Sequence, residues 1–229
     1  MNSMTVVRIA TMLAVMATTA VNAQSAPVPT MKVGDRWVYN VKSGFALGVV
    51  TYQETREVTA VGGGGFKLTV TGKTTENKDF TRVDDYAANG ALRSGAPCAD
   101  EQYRFPTPLQ RVVFPLGPGQ RSSKWVDVIA EPGGSKGQFN YFYRTGSWEK
   151  QTVPAGTFDA IRVEAHMVLD DSTPFREATT CNFTYWYSPQ VRGTVREQRR
   201  AQYIQIGDMQ DRTPVVNAFY ELASFTAGK

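Results

Sequence analysis

The chain of 229 residues is 41% hydrophobic, 20% charged and 11% aromatic, with a formal net charge of +4. That is too few charges and too many rings for a disordered chain, and a chain of this length hides about 70% of its unfolded surface on folding, so the packed domain it implies needs no metal to survive. One His and two Cys leave no material for a His-cluster or four-thiolate zinc site, and so small a basic excess argues against a nucleic-acid partner.

The first segment carries one positive side chain, Arg8, and then an apolar stretch from Ile9 to Ala20 that ends at Val21-Asn22-Ala23. This is the pattern of a secretory signal peptide, with small residues at the last and third-last positions before a cut after Ala23. The apolar run falls short of the roughly 20 residues that a membrane-spanning helix needs, no later segment approaches that length, and no transmembrane span is expected in the mature chain. No Cys lies beside the cut, so the attachment point of a bacterial lipoprotein is missing. The expected location is the periplasm, without lipidation, and loss of Arg8 with the leader lowers the net charge to +3. Residues 24–32 read as a polar linker and residues 33–229 as one β domain.

Beyond the linker, period-2 alternation and β-branched or aromatic enrichment, broken by Gly, Pro and Asn/Asp turns, predict strands at 36–42, 49–61, 66–74, 80–85, 124–130, 137–153, 157–170, 176–188, 195–206 and 215–224. In the clearest of them Ile161, Val163, Ala165, Met167 and Leu169 share one face, while Arg162, Glu164 and His166 share the other. In Phe183-Thr184-Tyr185-Trp186-Tyr187-Ser188, bulky rings occupy both faces. Gly62-Gly63-Gly64-Gly65 forms a hairpin tip, and Glu131-Pro132-Gly133-Gly134 and Pro154-Ala155-Gly156 close two more hairpins. The expected fold is all-β and antiparallel, a strongly curved sheet forming a half-barrel or barrel-like single domain.

Cys98, in the loop Gly95-Ala96-Pro97-Cys98-Ala99-Asp100, and Cys181, at the start of the aromatic strand, are an even pair in an exported chain, so one disulfide is expected. A bridge enclosing about 80 residues stabilises by about 4 kcal/mol in the loop-entropy model.

Residues that can carry chemistry are few. His166 is the one imidazole available as a general base, and the polar strand face it shares with Arg162 and Glu164 explains it without catalysis. Asp84-Asp85 and Asp170-Asp171 are adjacent on strands and point to opposite faces, so neither pair can share a proton. No catalytic set, metal site or cofactor motif emerges. Arg192, Arg196 and Arg200 alternate with Thr194 and Gln198 along one face, where guanidiniums can hold an anion bidentately, and Glu197 and Arg199 fall opposite. Rings concentrate at Tyr141, Phe142, Tyr143, Tyr185, Trp186 and Tyr187.

Several segments together resemble the periplasmic family called domain of unknown function 3108 and its TapB-like relatives. Gly34-Asp35-Arg36-Trp37-Val38-Tyr39 resembles the family's opening strand, and Phe114-Pro115-Leu116 with Gly119 and Trp125 its midway turn and strand. Val153-Pro154-Ala155-Gly156-Thr157-Phe158-Asp159-Ala160 is similar to its most recognisable hairpin, and Trp186-Tyr187-Ser188-Pro189-Gln190-Val191-Arg192-Gly193-Thr194-Val195 to the strand pair that follows. Arg192 interrupts the family's Val-Gly, and the stretch around Cys98 is an insertion. The resemblance implies an exported bacterial β-protein with a curved sheet, and it carries over no catalytic residue and no cofactor.

The leading expectation is a non-catalytic exported protein that binds an apolar or lipid-like envelope ligand in its curved sheet through Tyr141, Tyr143, Tyr185, Trp186 and Tyr187. The row Arg192, Arg196 and Arg200 would face an anionic envelope component. Two alternatives stand beside it: an envelope protein–protein interaction module with no small ligand, and a hydrolase using His166.

Overall fold

Twelve strands follow one another around a closed barrel in the computed structural model, which describes residues 25–45, 48–74, 77–170, 178–204 and 212–229. They are β1 (Arg36–Phe45), β2 (Gly48–Gly62), β3 (Gly65–Lys73), β4 (Asp79–Ala87), β5 (Leu92–Gly95), β6 (Gln102–Leu109), β7 (Arg121–Glu131), β8 (Lys136–Val153), β9 (Gly156–Asp170), β10 (Thr179–Ser188), β11 (Gly193–Ile204) and β12 (Arg212–Thr226), with a single 3-10 turn at Pro189–Val191. Every strand pairs antiparallel with its neighbours in sequence, and β1 closes the ring against β12. The segment read as a signal peptide, with its cut at Ala23, lies outside the described residues.

The all-β, antiparallel, curved expectation holds, and the ring is complete rather than half open. Two strands escaped the sequence reading. β5 is four residues long, and β6 carries Pro106 and Pro108, which cannot donate to a ladder and demote a run to loop. The pairing of both is correspondingly sparse, yet Tyr103 and Phe105 of β6 still alternate inward.

Turn chemistry sets the register. Gly63 (φ +58°) and Gly64 (φ +74°) both take the left-handed conformation that a two-residue type I′ hairpin demands at its central positions. The neighbouring Gly65 is fixed by space, because a Cβ there would sit 1.9 Å from the Tyr86 carbonyl oxygen on β4. Gly65→Ala forces the β3–β4 backbones apart and is expected to cost about 1–3 kcal/mol, the range for overpacking. Urea denaturation checks this, with an unchanged midpoint as the contrary result.

An eight-stranded barrel is just filled by its inward side chains, so twelve strands enclose a wider lumen. This chain fills it with long residues. Tyr39, Phe139, Tyr141, Tyr143, Phe183, Tyr185 and Tyr220 point inward together with the side chains of Glu54, Asp84, Glu197 and Arg199. The outward face carries ion pairs, with Arg144 and Arg162 both meeting Glu164, and Lys150 reaching Asp159 at 3.1 Å. Among the described residues, no helix is long and apolar enough to cross a membrane.

Candidate functional site

The two ends of the lumen differ. Inward residues of β1 run from Trp37 to Ser43, about 20 Å of strand. At the Ser43 end the 96–101 loop reaches in, held by the Cys98–Cys181 disulfide (Cα–Cα 6.1 Å) and by Arg199, whose Nη1 donates to the Cys98 carbonyl at 3.0 Å. The space left there, between Ser43, Tyr52, Cys98, Arg199 and Tyr220, is ≈ 20 Å³, room for one water molecule.

The Trp37 end is different because two segments outside the strands build its wall. Ala26, within the stretch read as linker, is buried and pairs with Leu116 through two backbone hydrogen bonds of 2.8 and 2.7 Å. Alternating residues of β8 hold the other segment. Tyr141 Oη donates to the Arg111 carbonyl at 3.1 Å, Tyr143 Oη accepts from the Val113 N–H at 3.1 Å, and Thr145 Oγ1 donates to the Gly117 carbonyl at 2.7 Å. Between these segments and the strands lies a cavity of ≈ 170 Å³, whose rings are Trp37, Tyr39, Phe66, Tyr86, Phe114, Tyr185 and Tyr187.

Charged side chains also enter this apolar space. Glu197 accepts from Arg199 Nη2 at 2.7 Å and faces Arg56 Nη1 at 3.8 Å, while Arg56 also holds Glu54 at 2.7 Å. Burial by itself would raise the Glu197 pKa, but Arg199, Arg56 and Arg111 outweigh it and hold the carboxyl down at about 2. The guanidiniums lie over rings: Arg56 is 4.6 Å from the Tyr39 centroid, Arg199 5.3 Å from that of Tyr220, and Arg111 5.2 and 5.3 Å from those of Phe183 and Tyr185. At the rim, the fully buried Asp35 carboxylate accepts from Lys32 N at 2.9 Å and from Gly228 N at 2.7 Å, and it also pairs with Arg192.

The residues singled out in the sequence separate accordingly. Tyr185 and Tyr187 line the cavity, and Tyr141 and Tyr143 brace its wall. Trp186 points outward, where its indole N–H donates to the Glu149 carboxylate. Arg192, Arg196 and Arg200 do not form one row. Arg192 precedes β11 in the left-handed conformation (φ +53°) and turns to Asp35, so it leaves the alternation that places Arg196 and Arg200 on the outer face. Arg196 is itself engaged by Gln151 Oε1 at 2.9 Å, the Thr152 carbonyl at 3.0 Å and Glu221 at 2.9 Å, which dock the β8–β9 hairpin onto β11 and β12. His166 stands on the outer face with Nδ1 2.9 Å from Asn182 Oδ1. The largest exposed aromatic is also outside: Trp125 is 64% exposed, diagonal to Phe142 across the β7–β8 ladder.

Sequence reasoning missed Glu197, Arg56 and Arg111 as lumen residues. Alternation put Glu197 opposite Arg196, but nothing in it told which face meets water. Arg111 sits in no periodic segment, and its position depends on hydrogen bonds from β8 about 30 residues away.

No family model and no curated protein matches this chain. Three solved structures are similar to it at low identity. A candidate lipoprotein from Parabacteroides distasonis superimposes with a TM-score of 0.50 at 16% identity, over 89% of this chain and 100% of that one. A candidate exported protein with a YmcC-like fold from Bacteroides fragilis gives 0.45 at 16% identity, over 89% and 99%. The hypothetical lipoprotein YmcC from Escherichia coli gives 0.39 at 7% identity, over 82% and 84%. The first of these supports the fold alone.

Proposed function

We propose that this is a non-catalytic periplasmic protein, exported and not lipidated, that binds a small apolar molecule, or the apolar end of a larger one, at the Trp37 mouth of its barrel. The observation that carries this reading is the ring-lined cavity of ≈ 170 Å³ at one end of the lumen, against ≈ 20 Å³ between the described residues at the Ser43 end. An apolar cavity of about 150 Å³ takes up benzene, so this one suits a single ring or a short chain rather than a whole acyl chain. Any longer ligand extends past Pro29 and Met31, which form the outer wall. The resemblance to the domain of unknown function 3108 family belongs to the same proposal. Its support is that two of the resembling segments, Gly34 to Tyr39 and Trp186 to Val195, meet at this mouth through Asp35 and Arg192.

The test is a calorimetric or NMR titration with 3-phenylpropan-1-ol, a neutral ring on a short chain. Saturable binding is expected, and it is expected to disappear in Val112→Trp, which places an indole in the cavity that Val112 lines. Binding that is absent in the wild type, or equal in both proteins, overturns the reading.

A further inference from the structure

Pairing the buried charges leaves one over. The carboxylates buried among the described residues are Asp35, Glu54, Asp84 and Glu197. Each has its own guanidinium: Asp35 has Arg192, Glu54 has Arg56 at 2.7 Å, Asp84 has Arg82 at 3.0 Å, and Glu197 has Arg199 at 2.7 Å. Arg111 lines the same cavity and is the fifth. Among the described residues no carboxylate comes within ion-pair distance of it, and its Nε is buried with no hydrogen-bond acceptor. A guanidinium cannot discharge itself by losing a proton in a protein, so this charge persists at every working pH. Arg111 is half-buried, and the rings of Phe183 and Tyr185 beneath it offset part of the cost of that burial.

Arg192 and Tyr187 also line this cavity. Arg192 spends Nη2 on Asp35 and leaves Nε buried without an acceptor, and the Tyr187 hydroxyl is buried without a partner. All three groups can donate, and the two guanidinium N–H groups can do nothing else. A wall of rings that includes a guanidinium with no carboxylate at ion-pair distance selects a ligand that is apolar in its body and bears acceptor-only oxygens.

Resting on the cavity reading above, the geometry points to an anion-bearing ligand: a small apolar acid, carboxylate or phosphate monoester, whose oxygens meet Arg111 while its ring or chain lies among Trp37, Phe66, Phe114 and Tyr187. The Glu197 carboxylate in the same wall feels Arg111 as well, but its ion pairs are with Arg199 at 2.7 Å and Arg56 at 3.8 Å. The Arg111 main chain is pinned by Tyr141, so the guanidinium is presented from a fixed point rather than from a free loop.

The experiment compares 3-phenylpropionate, phenyl phosphate and neutral 3-phenylpropan-1-ol by calorimetry on the full-length mature protein, with thermal shift as a second readout. At least one anion is expected to bind about tenfold or more tighter than the alcohol, since charge-assisted hydrogen bonds are roughly twice as strong as neutral ones. Arg111→Met is expected to erase that preference, read as a fall of the anion-to-alcohol affinity ratio to about one. Arg111→Lys keeps the charge and is expected to retain part of the preference, which separates lost charge from lost folding. If Arg111→Met fails to fold, the anion-to-alcohol ratio in the wild type still decides. Equal binding of the three probes overturns this inference and leaves the apolar site standing. No binding of any probe overturns the site itself.

Discussion

Glu197→Gln is expected to lower stability by about 3 kcal/mol, because it leaves the Arg199 and Arg56 guanidiniums inside the barrel facing a neutral amide. The side chain is 2% exposed, so water cannot take over the lost charge. Gln keeps the shape and one acceptor, which places the cost at the lower end of the range for breaking a buried pair. The double replacement Glu197→Leu with Arg199→Met is expected to recover much of the loss, since removing both charges removes the need for either. The pH dependence follows from the same group. Its folded pKa of about 2 lies below the unfolded carboxyl value of 4.5, so its contribution is fully present above pH 4.5 and fades as pH falls from 4.5 toward 2. Integrated over that window it amounts to about 3 kcal/mol. Urea midpoints measured from pH 7 to pH 2 should fall steeply in the wild type and less so in Glu197→Gln. Parallel curves would show that Glu197 is not the charge being lost.

Replacing both cysteines by alanine is expected to cost about 4 kcal/mol, because the bridge closes a loop with a sequence separation of 83 residues. For a chain of this size that corresponds to a fall of about 10 °C in Tm. The consequence is also local. The bridge holds the Cys98 carbonyl over Arg199 Nη1, so releasing it removes one acceptor from a guanidinium that is 9% exposed. The effect should therefore exceed that of Gly65→Ala, which disturbs a turn at the barrel edge and no buried charge. Differential scanning calorimetry of the oxidised protein, the reduced protein and the double variant checks this. A reduced protein that melts with the oxidised one would show that the loop is held by its packing alone.

The strand pattern was legible where alternation was long and turns were strong. β9 is the best case: its five inward residues, Ile161 to Leu169, and its outward Arg162, Glu164 and His166 lie as their spacing requires. The pairing of Cys98 with Cys181 was legible from compartment and count. The choice between half-barrel and barrel stayed open, because full closure is a contact between β1 and β12, the most distant strands in the chain. The site was legible in part. That Tyr141 shares a face with Tyr143, and Tyr185 with Tyr187, follows from period 2, and the same period separates Trp186 from them, which the set of five rings overlooked. Which charges turn inward did not follow, because assigning charged residues to water holds for an eight-stranded barrel and fails once the lumen is wide enough to hold ion pairs. Arg192 was misplaced for a different reason: one left-handed residue ahead of β11 breaks the alternation on which the row of three depended.

The central claim is that the Trp37 mouth holds an apolar, anionic molecule, and native mass spectrometry of the protein isolated directly from its host tests it most directly. The predicted result is a discrete added mass, released by solvent extraction as a small acid and absent from Val112→Trp prepared in the same way. A bare polypeptide mass from the gentlest preparation, with no acid in the extract, would contradict it.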